Sequence, residues 1–174
     1  MSTAVQSAFT AEFAATHRDM LLGRIEKERA TTKRVIGNIP NDKRDYKPHP
    51  ISRTAWELAN HLVVSDIWFL NGIASRNFEF TGEPPAPADT VAGLVEWYDR
   101  EAKQAATRVR NMSAEELLTP VSFFGIMNEP AFSYLQFAQD HLVHHRGQLS
   151  TYLRPMGTKV PDIYGGSADE PFQG

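Results

Sequence analysis

Three histidines crowd one short stretch, His141-Leu142-Val143-His144-His145. At about 100° per residue, His141 and His145 lie only about 40° apart and one turn displaced, so both imidazoles can point at the same spot. A helix bearing that pair can chelate one ion, at roughly 2.0 to 2.1 Å per Zn–N bond, without rearranging a loop. His144 lies about 60° from His141 on the other side and about 100° from His145, which places it beside the site or on the surface. For the pair alone two readings stay open, namely core histidines satisfied by hydrogen bonds, or metal ligands. A third imidazole moves the reading toward metal. His61 sits in Leu58-Ala59-Asn60-His61-Leu62-Val63-Val64, where a polar ring among aliphatics needs a ligand or an acceptor.

Three protein nitrogens with the remaining positions open are the arrangement of catalytic rather than structural zinc, because the open face admits and polarises a substrate. Imidazole suits several first-row ions, and spacing does not separate zinc from nickel, iron or manganese. Zinc or nickel is the first expectation. Because the chain has no cysteine, thiolate nucleophiles, disulfides and sulfur-ligated metal are excluded, and any ion must sit on nitrogen and oxygen.

Other side chains have both a chemical and a structural reading. Glu57, one turn before His61, could act as base or fourth ligand, but a helix cap explains it as well. Gln148 could hydrogen-bond within the site or between helices. Asp66 and Asp140 could accept from an imidazole N–H, with solvation as the default for each. His17 and His49 share no chelating spacing and are not expected to be ligands. Trp56, Trp68, Phe69 and Tyr134 could line a pocket, although aromatics at helical spacing are more often core. Gly147, mid-helix at about 1 kcal/mol relative to Ala, suggests a close approach by a neighbour.

The elements that must position these residues read as four helices. Residues from about 8 to 36 are rich in Ala, Leu, Met, Glu and Arg, with Phe13, Met20, Leu21 and Ile25 on one face, and Gly37, Asn38 and Pro40 end the run. Pro40, Pro48 and Pro50 make 38–52 a long connection instead of a hairpin. Thr54 and Glu57 form a capping-box pattern for a helix over about 53–75, with Leu58, Leu62, Phe69 and Ile73 at helical spacing. Asp89 can cap a third helix, about 89–111, whose stripe is Val91, Leu94, Val95, Tyr98, Ala102, Ala105 and Val109.

Ser113 and Glu116 offer a second capping box for a short turn, and 120–129 reads as an irregular, lid-like or extended segment. The last helix, about 130–154, carries Tyr134, Phe137, Ala138 and Tyr152 on its buried face and stops at Pro155 and Gly157. The tail, 155–174, is expected to be irregular. Four such helices predict an all-α four-helix bundle in one domain over 1–174, in which facing helices build the metal site.

At 174 residues and 41% hydrophobic content, one core is affordable. With 18 basic against 21 acidic residues and a formal charge of −3, there is no electrostatic footprint for nucleic acid or an anionic membrane. No apolar run approaches the roughly 20 residues that span a bilayer, and the start lacks a signal-peptide pattern, so a cytoplasmic protein is expected.

The segments Ile39-Pro40, Lys43, Tyr46-Lys47-Pro48-His49-Pro50, Glu57-Leu58-Ala59-Asn60-His61 and His141-Leu142-Val143-His144-His145-Arg146-Gly147-Gln148-Leu149, with Tyr152-Leu153-Arg154 and Gly157, together resemble the DinB/YfiT-like family over nearly the whole chain. The resemblance implies an up-down-down-up bundle, frequently dimeric, with a three-histidine metal site carried by His61, His141 and His145. It further implies metal-dependent chemistry on a small molecule. Relatives of known chemistry include S-transferases and isomerases that use the low-molecular-weight thiols bacillithiol or mycothiol, whereas many have no assigned substrate. The resemblance implies no DNA binding.

The function expected is therefore a metal-dependent enzyme, a hydrolase or thiol-dependent S-transferase, acting as a homodimer. The competing expectation is a non-catalytic, stress-related metal-binding bundle. A weaker third is a dimerisation module whose histidines only hydrogen-bond in the core.

Overall fold

Thr10, Thr54, Thr90 and Ser113 each end an extended stretch and accept a hydrogen bond from the backbone three residues on, at 3.1 to 3.2 Å. A helix starts after each of them, because the side-chain oxygen satisfies a donor that the first turn would leave open. In the computed structural model, which describes residues 9–82 and 84–172, these are α1 (Ala11–Gly37), α2 (Ala55–Ser75), α3 (Val91–Arg110) and α4 (Ala114–Leu118). Both expected capping boxes are complete, with Glu57 and Glu116 reaching back to the cap backbone. A hairpin of β1 (Pro120–Phe123) and β2 (Met127–Pro130) and a 3-10 turn at Ala131–Ser133 lead into α5 (Tyr134–Leu153).

Side-chain pairs give the direction of each long helix. Arg18 meets the Met112 carbonyl and Lys33 meets Asp99, so α1 and α3 run antiparallel. Glu28 meets Arg146 while His17 packs on Phe132, so α1 and α5 run parallel. Phe69 against Phe137 and His61 against His145 make α2 and α5 antiparallel. Asp66 to Tyr98 and Asn71 to Arg108 make α2 and α3 parallel. The order is up-down-down-up, with α1 diagonal to α2. The diagonal step and the parallel step both need long connections, which the proline-bearing segments 38–54 and 76–90 provide.

A buried polar triad joins three of the helices. Arg29 Nε donates to Asp66 Oδ2 at 2.6 Å and Tyr98 OH donates to the same oxygen at 2.7 Å, while Arg29 Nη1 reaches the Ala102 carbonyl at 3.2 Å. Asp66 is 1% exposed and Tyr98 0%, so each hydrogen bond is made where water cannot compete. Burial alone works against the Arg29 charge, but the Asp66 carboxylate more than restores it. Burial, then the Asp66 charge, pushes the Tyr98 hydroxyl well above its usual range, which keeps it a donor. A second buried arginine, Arg146, pairs with Glu28 and with the Tyr164 hydroxyl, so that α5, α1 and the chain after α5 are held together. That final stretch has no regular element, yet Asp169 accepts from Val160 N–H and Glu170 from Asp162 N–H.

Several expectations need correction. The third helix is capped by Thr90, not Asp89, whose carbonyl instead accepts from Arg44. Of the two readings of 120–129, irregular or extended, the extended one holds and the strands pair as an antiparallel hairpin, Val121 opposite Glu129 and Phe123 opposite Met127. Its strands are too short for a periodic signal. Phe13 and Met20 are each 45% exposed; the buried face of α1 runs instead through Ala14, Leu21, Ile25, Arg29 and Thr32, and Phe13 rests on Phe9 and Phe132 at the surface. A buried arginine is what disguised that stripe. The last helix starts at Tyr134, after the 3-10 turn, and α1 starts at Ala11, capped by Thr10, instead of near residue 8, which itself lies outside the described residues. Gly147 has no atom near the position of a Cβ, so no close approach explains it.

Replacing Arg29 by methionine strands the Asp66 carboxylate in the core, and urea denaturation should show a loss of about 3–5 kcal/mol. The double variant Arg29→Met, Asp66→Leu should recover part of it, the remainder being the buried Tyr98 hydroxyl left without its acceptor. A double variant as unstable as the single one would show that the ion pair is not the source.

Candidate metal centre

Because α2 and α5 run antiparallel in contact, His61 faces the two histidines one turn apart on α5. The ring centroids lie 5.3 Å apart for His61 and His141, 4.6 Å for His61 and His145, and 4.4 Å for His141 and His145. One ring nitrogen from each lies within 4.8 Å of the others. His61 Nε2 and His145 Nε2 are 3.3 Å apart, close to the roughly 3.3 Å edge of a tetrahedron drawn at Zn–N distances of about 2.0 Å. That pair matches two ligands of a shared ion, and with His141 the three nitrogens form a set that could hold one divalent cation.

The electrostatics favour the same use. Burial, then the neighbouring imidazoles, holds His141 down at about 4, and burial first also lowers His145, opposed by its hydrogen bond to Gln148. Both rings are thus neutral near pH 7 and offer lone pairs, as a cation requires. His145 Nδ1 lies 2.9 Å from Gln148 Oε1. With the amide oxygen accepting, Nδ1 carries the proton and Nε2 is left to face His61. Ser65 Oγ lies 3.4 Å from His61 Nδ1, a longer contact of the same kind.

The remaining sequence candidates fall outside the triad. Glu57 Oε2 accepts from the Thr54 N–H at 2.7 Å, a capping contact that also lowers its pKa. Asp66 serves Arg29 and Tyr98, and Asp140 accepts from Gln136. His144 is exposed, its ring edge-on to His145 at 4.8 Å. His17 stacks on Phe13, and His49 Nδ1 accepts from Ile51 N–H at 3.4 Å. Trp56 carries the Arg44 guanidinium over its ring, and the Tyr134 hydroxyl donates to the Val121 carbonyl.

Sequence reasoning missed the cavity beside the triad. About 520 Å³ in volume, it has His61 and His141 in its wall together with Trp68, Phe69, Phe123 and Phe137. The expected Trp68 and Phe69 line it, but Trp56 and Tyr134 do not. Arg53 and Ser65 also line it. Ser65 is one turn from His61, and that spacing was the available signal for it. Nothing local marked Phe123 or Phe124, which the hairpin brings over α2. Gly72 seats this wall: a Cβ there would lie 2.4 Å from the Phe78 ring, which packs beneath Trp68 and Phe123.

The DinB family profile matches residues 7–172. Bacillus subtilis (strain 168) YjoA is 27% identical over 135 residues, covering 76% of this chain and 87% of that protein. YrdA of the same organism is 26% identical over 157 residues, covering 87% and 90%. The crystal structure of YjoA, a DinB-like protein, superposes with a TM-score of 0.70 at 25% identity, over 83% of this chain and 97% of the other. A DinB-like protein from Bacillus cereus ATCC 10987 gives 0.71 at 23% identity, over 83% and 95%, and shares the fold. None of the described helices is long and apolar enough to cross a membrane.

The lowered His141 pKa has a consequence for stability. An unfolded histidine takes its proton near the ordinary 6.5, whereas folded His141 waits until about 4. Between these values the unfolded chain binds more protons, so stability rises with pH through that window and falls on acidification. Thermal melts of metal-free protein between about pH 5 and 7 should show that slope, and His141→Phe should flatten it. An equally steep slope in the variant would assign it to other groups.

Proposed function

The chain belongs to the DinB family, and from that premise we propose that His61, His141 and His145 hold one divalent cation, zinc or nickel, at the active site of a metal-dependent hydrolase or thiol-dependent S-transferase. The observation that carries the reading is the cavity: two of the three imidazoles stand in its wall, so an ion held by them borders a space that admits a small molecule. A structural site would be closed on all sides.

The ion, when bound, supplies Lewis-acid activation and lowers the pKa of a water or thiol, so that a nucleophile exists near neutral pH. The protein does the rest. Gln148 fixes the tautomer and the tilt of His145. The aromatic walls exclude water and strengthen every charge interaction inside. Arg53 stands in the cavity wall, where its charge adds to burial and the neighbouring imidazoles in lowering the pKa of both α5 histidines.

Protein purified without a histidine tag and dialysed against zinc or nickel should retain about one ion per chain by elemental analysis. His141→Ala should lose it, and Gln148→Ala should weaken affinity by about tenfold. Equal metal content in wild type and His141→Ala would overturn the assignment. Ester, amide and thiol-conjugation substrates, assayed with and without chelator, test the enzyme reading. Turnover abolished by chelator supports it, whereas uniform silence from metal-loaded protein favours a binding protein without catalysis.

A further inference from the structure

The cavity beside the histidines has an unusual wall. Six aromatic rings line it: Trp68 and Phe69 from α2, Phe80 from the loop that follows, Phe123 and Phe124 from the hairpin, and Phe137 from α5. They form a continuous series that begins at the metal centre. Phe69 lies 5.2 Å from His141 and 5.2 Å from Phe137, each edge to face. Trp68 packs against Phe69 at 4.9 Å and lies parallel to Phe124, 4° between the planes and 6.1 Å between centroids. The Trp68 indole N–H is taken by the Glu79 carbonyl at 2.7 Å, which fixes the ring and leaves its faces for apolar contact.

Phe124 is held there at a conformational cost. Its φ is 53°, followed by Gly125 at 72°, a left-handed pair in a turn closed by Ile126 N–H to the Phe123 carbonyl at 3.0 Å. Glycine or asparagine suits such a position, and a bulky ring does not. Its side chain is 51% exposed, so burial in the core does not repay the strain. A strained residue that presents its ring to a cavity points to use of that ring.

Charge is sparse by comparison. Among the described residues that line the cavity, Arg53 is the one cationic side chain and Glu79 the one anionic. The polar side chains of the lining, Ser65, Thr81, Arg53, Glu79 and the two histidines, would replace only part of the water that a sugar-like ligand's hydroxyls lose, whereas a flat apolar body would gain both burial and ring contacts. Imidazole ligands bring no negative charge of their own and leave that of a divalent ion uncompensated, which favours a negatively charged head beside it.

We propose that this cavity takes a flat aromatic molecule with a single anionic head, the rings packed among Trp68, Phe69 and Phe124 and the head turned toward the three histidines. The position of the head rests on the metal reading above; the aromatic body does not. A hydroxyl-rich body fits these walls less well, so within the thiol-dependent reading this molecule is the acceptor and not the thiol.

Calorimetric titration of the full chain, metal-free and zinc-loaded, tests this with naphthoate, the neutral naphthalenemethanol and thioglucose. Naphthoate should bind metal-free protein and bind more tightly after zinc loading, while thioglucose should bind more weakly than either naphthalene. Trp68→Ala and Phe124→Gly should each weaken naphthoate by about fivefold to tenfold. Phe124→Gly relieves the strained turn, so its melting temperature should hold or rise and a loss of binding cannot be blamed on unfolding. Binding of naphthoate unaltered by both ring variants, or thioglucose bound more tightly than naphthoate, overturns the proposal. Zinc uptake measured on the same samples separates the two readings: zinc bound without naphthoate sinks this proposal alone, and naphthoate bound without zinc sinks the metal reading alone.

Discussion

Charge buried inside the bundle fixes how each helix is turned. Asp66 takes hydrogen bonds from Arg29 and Tyr98 on two other helices, and a carboxylate 1% exposed cannot rotate toward solvent without stranding both partners. Five residues earlier on α2, about 140° around the axis, stands His61. Arg146 does the same for α5, paired with Glu28 on α1, and five residues before it stands His141. On both helices one residue is locked toward α1, and the histidine offset by the same angle is thereby aimed at the other helix. The convergence of three imidazoles follows from two buried ion pairs that never touch them.

Burial sets the chemistry of those imidazoles as well as their direction. Half-buried rings near one another resist protonation, and His141 retains a free lone pair far below the usual histidine range. A carboxylate among them would have undone this by favouring the imidazolium. Two carboxylates on the same helix as His61 are occupied elsewhere, Glu57 at a helix cap and Asp66 in the core. Rigidity around the donors comes from the helices, whereas the cavity walls come in part from a short hairpin and a loop. The divided construction places a fixed centre beside a surface that loop sequence can remodel, a common way for one fold to serve several substrates.

The fold itself survives extensive change in sequence. Superposition at a TM-score of 0.70 with 25% identity shows that most side chains can be exchanged while the helix order stands. Apolar patterning and caps tolerate many residues. Long connections at 38–54 and 76–90 are what the up-down-down-up order demands, and prolines stiffen them.

Local physics made much of this legible in the chain. Capping boxes at Thr54 and Ser113 depend on residues three apart, and the His141 and His145 pair on a spacing of four, so each could be read directly. The apolar stripe of α3 could be read the same way. Arg29 defeated that method, since a charge on an apolar face reads as a break until its partner on another helix is known. The hairpin at 120–130 and the aromatic wall were hidden for a related reason, because four-residue strands give no period and Phe124 meets Trp68 only across the fold. Sequence alone determined which residues could ligate and, at Thr54 and Ser113, where helices begin; tertiary structure decided that His61 joins the pair, that Asp66 and Glu57 do not, and what kind of cavity the three histidines face, because these depend on contacts between residues far apart in the chain.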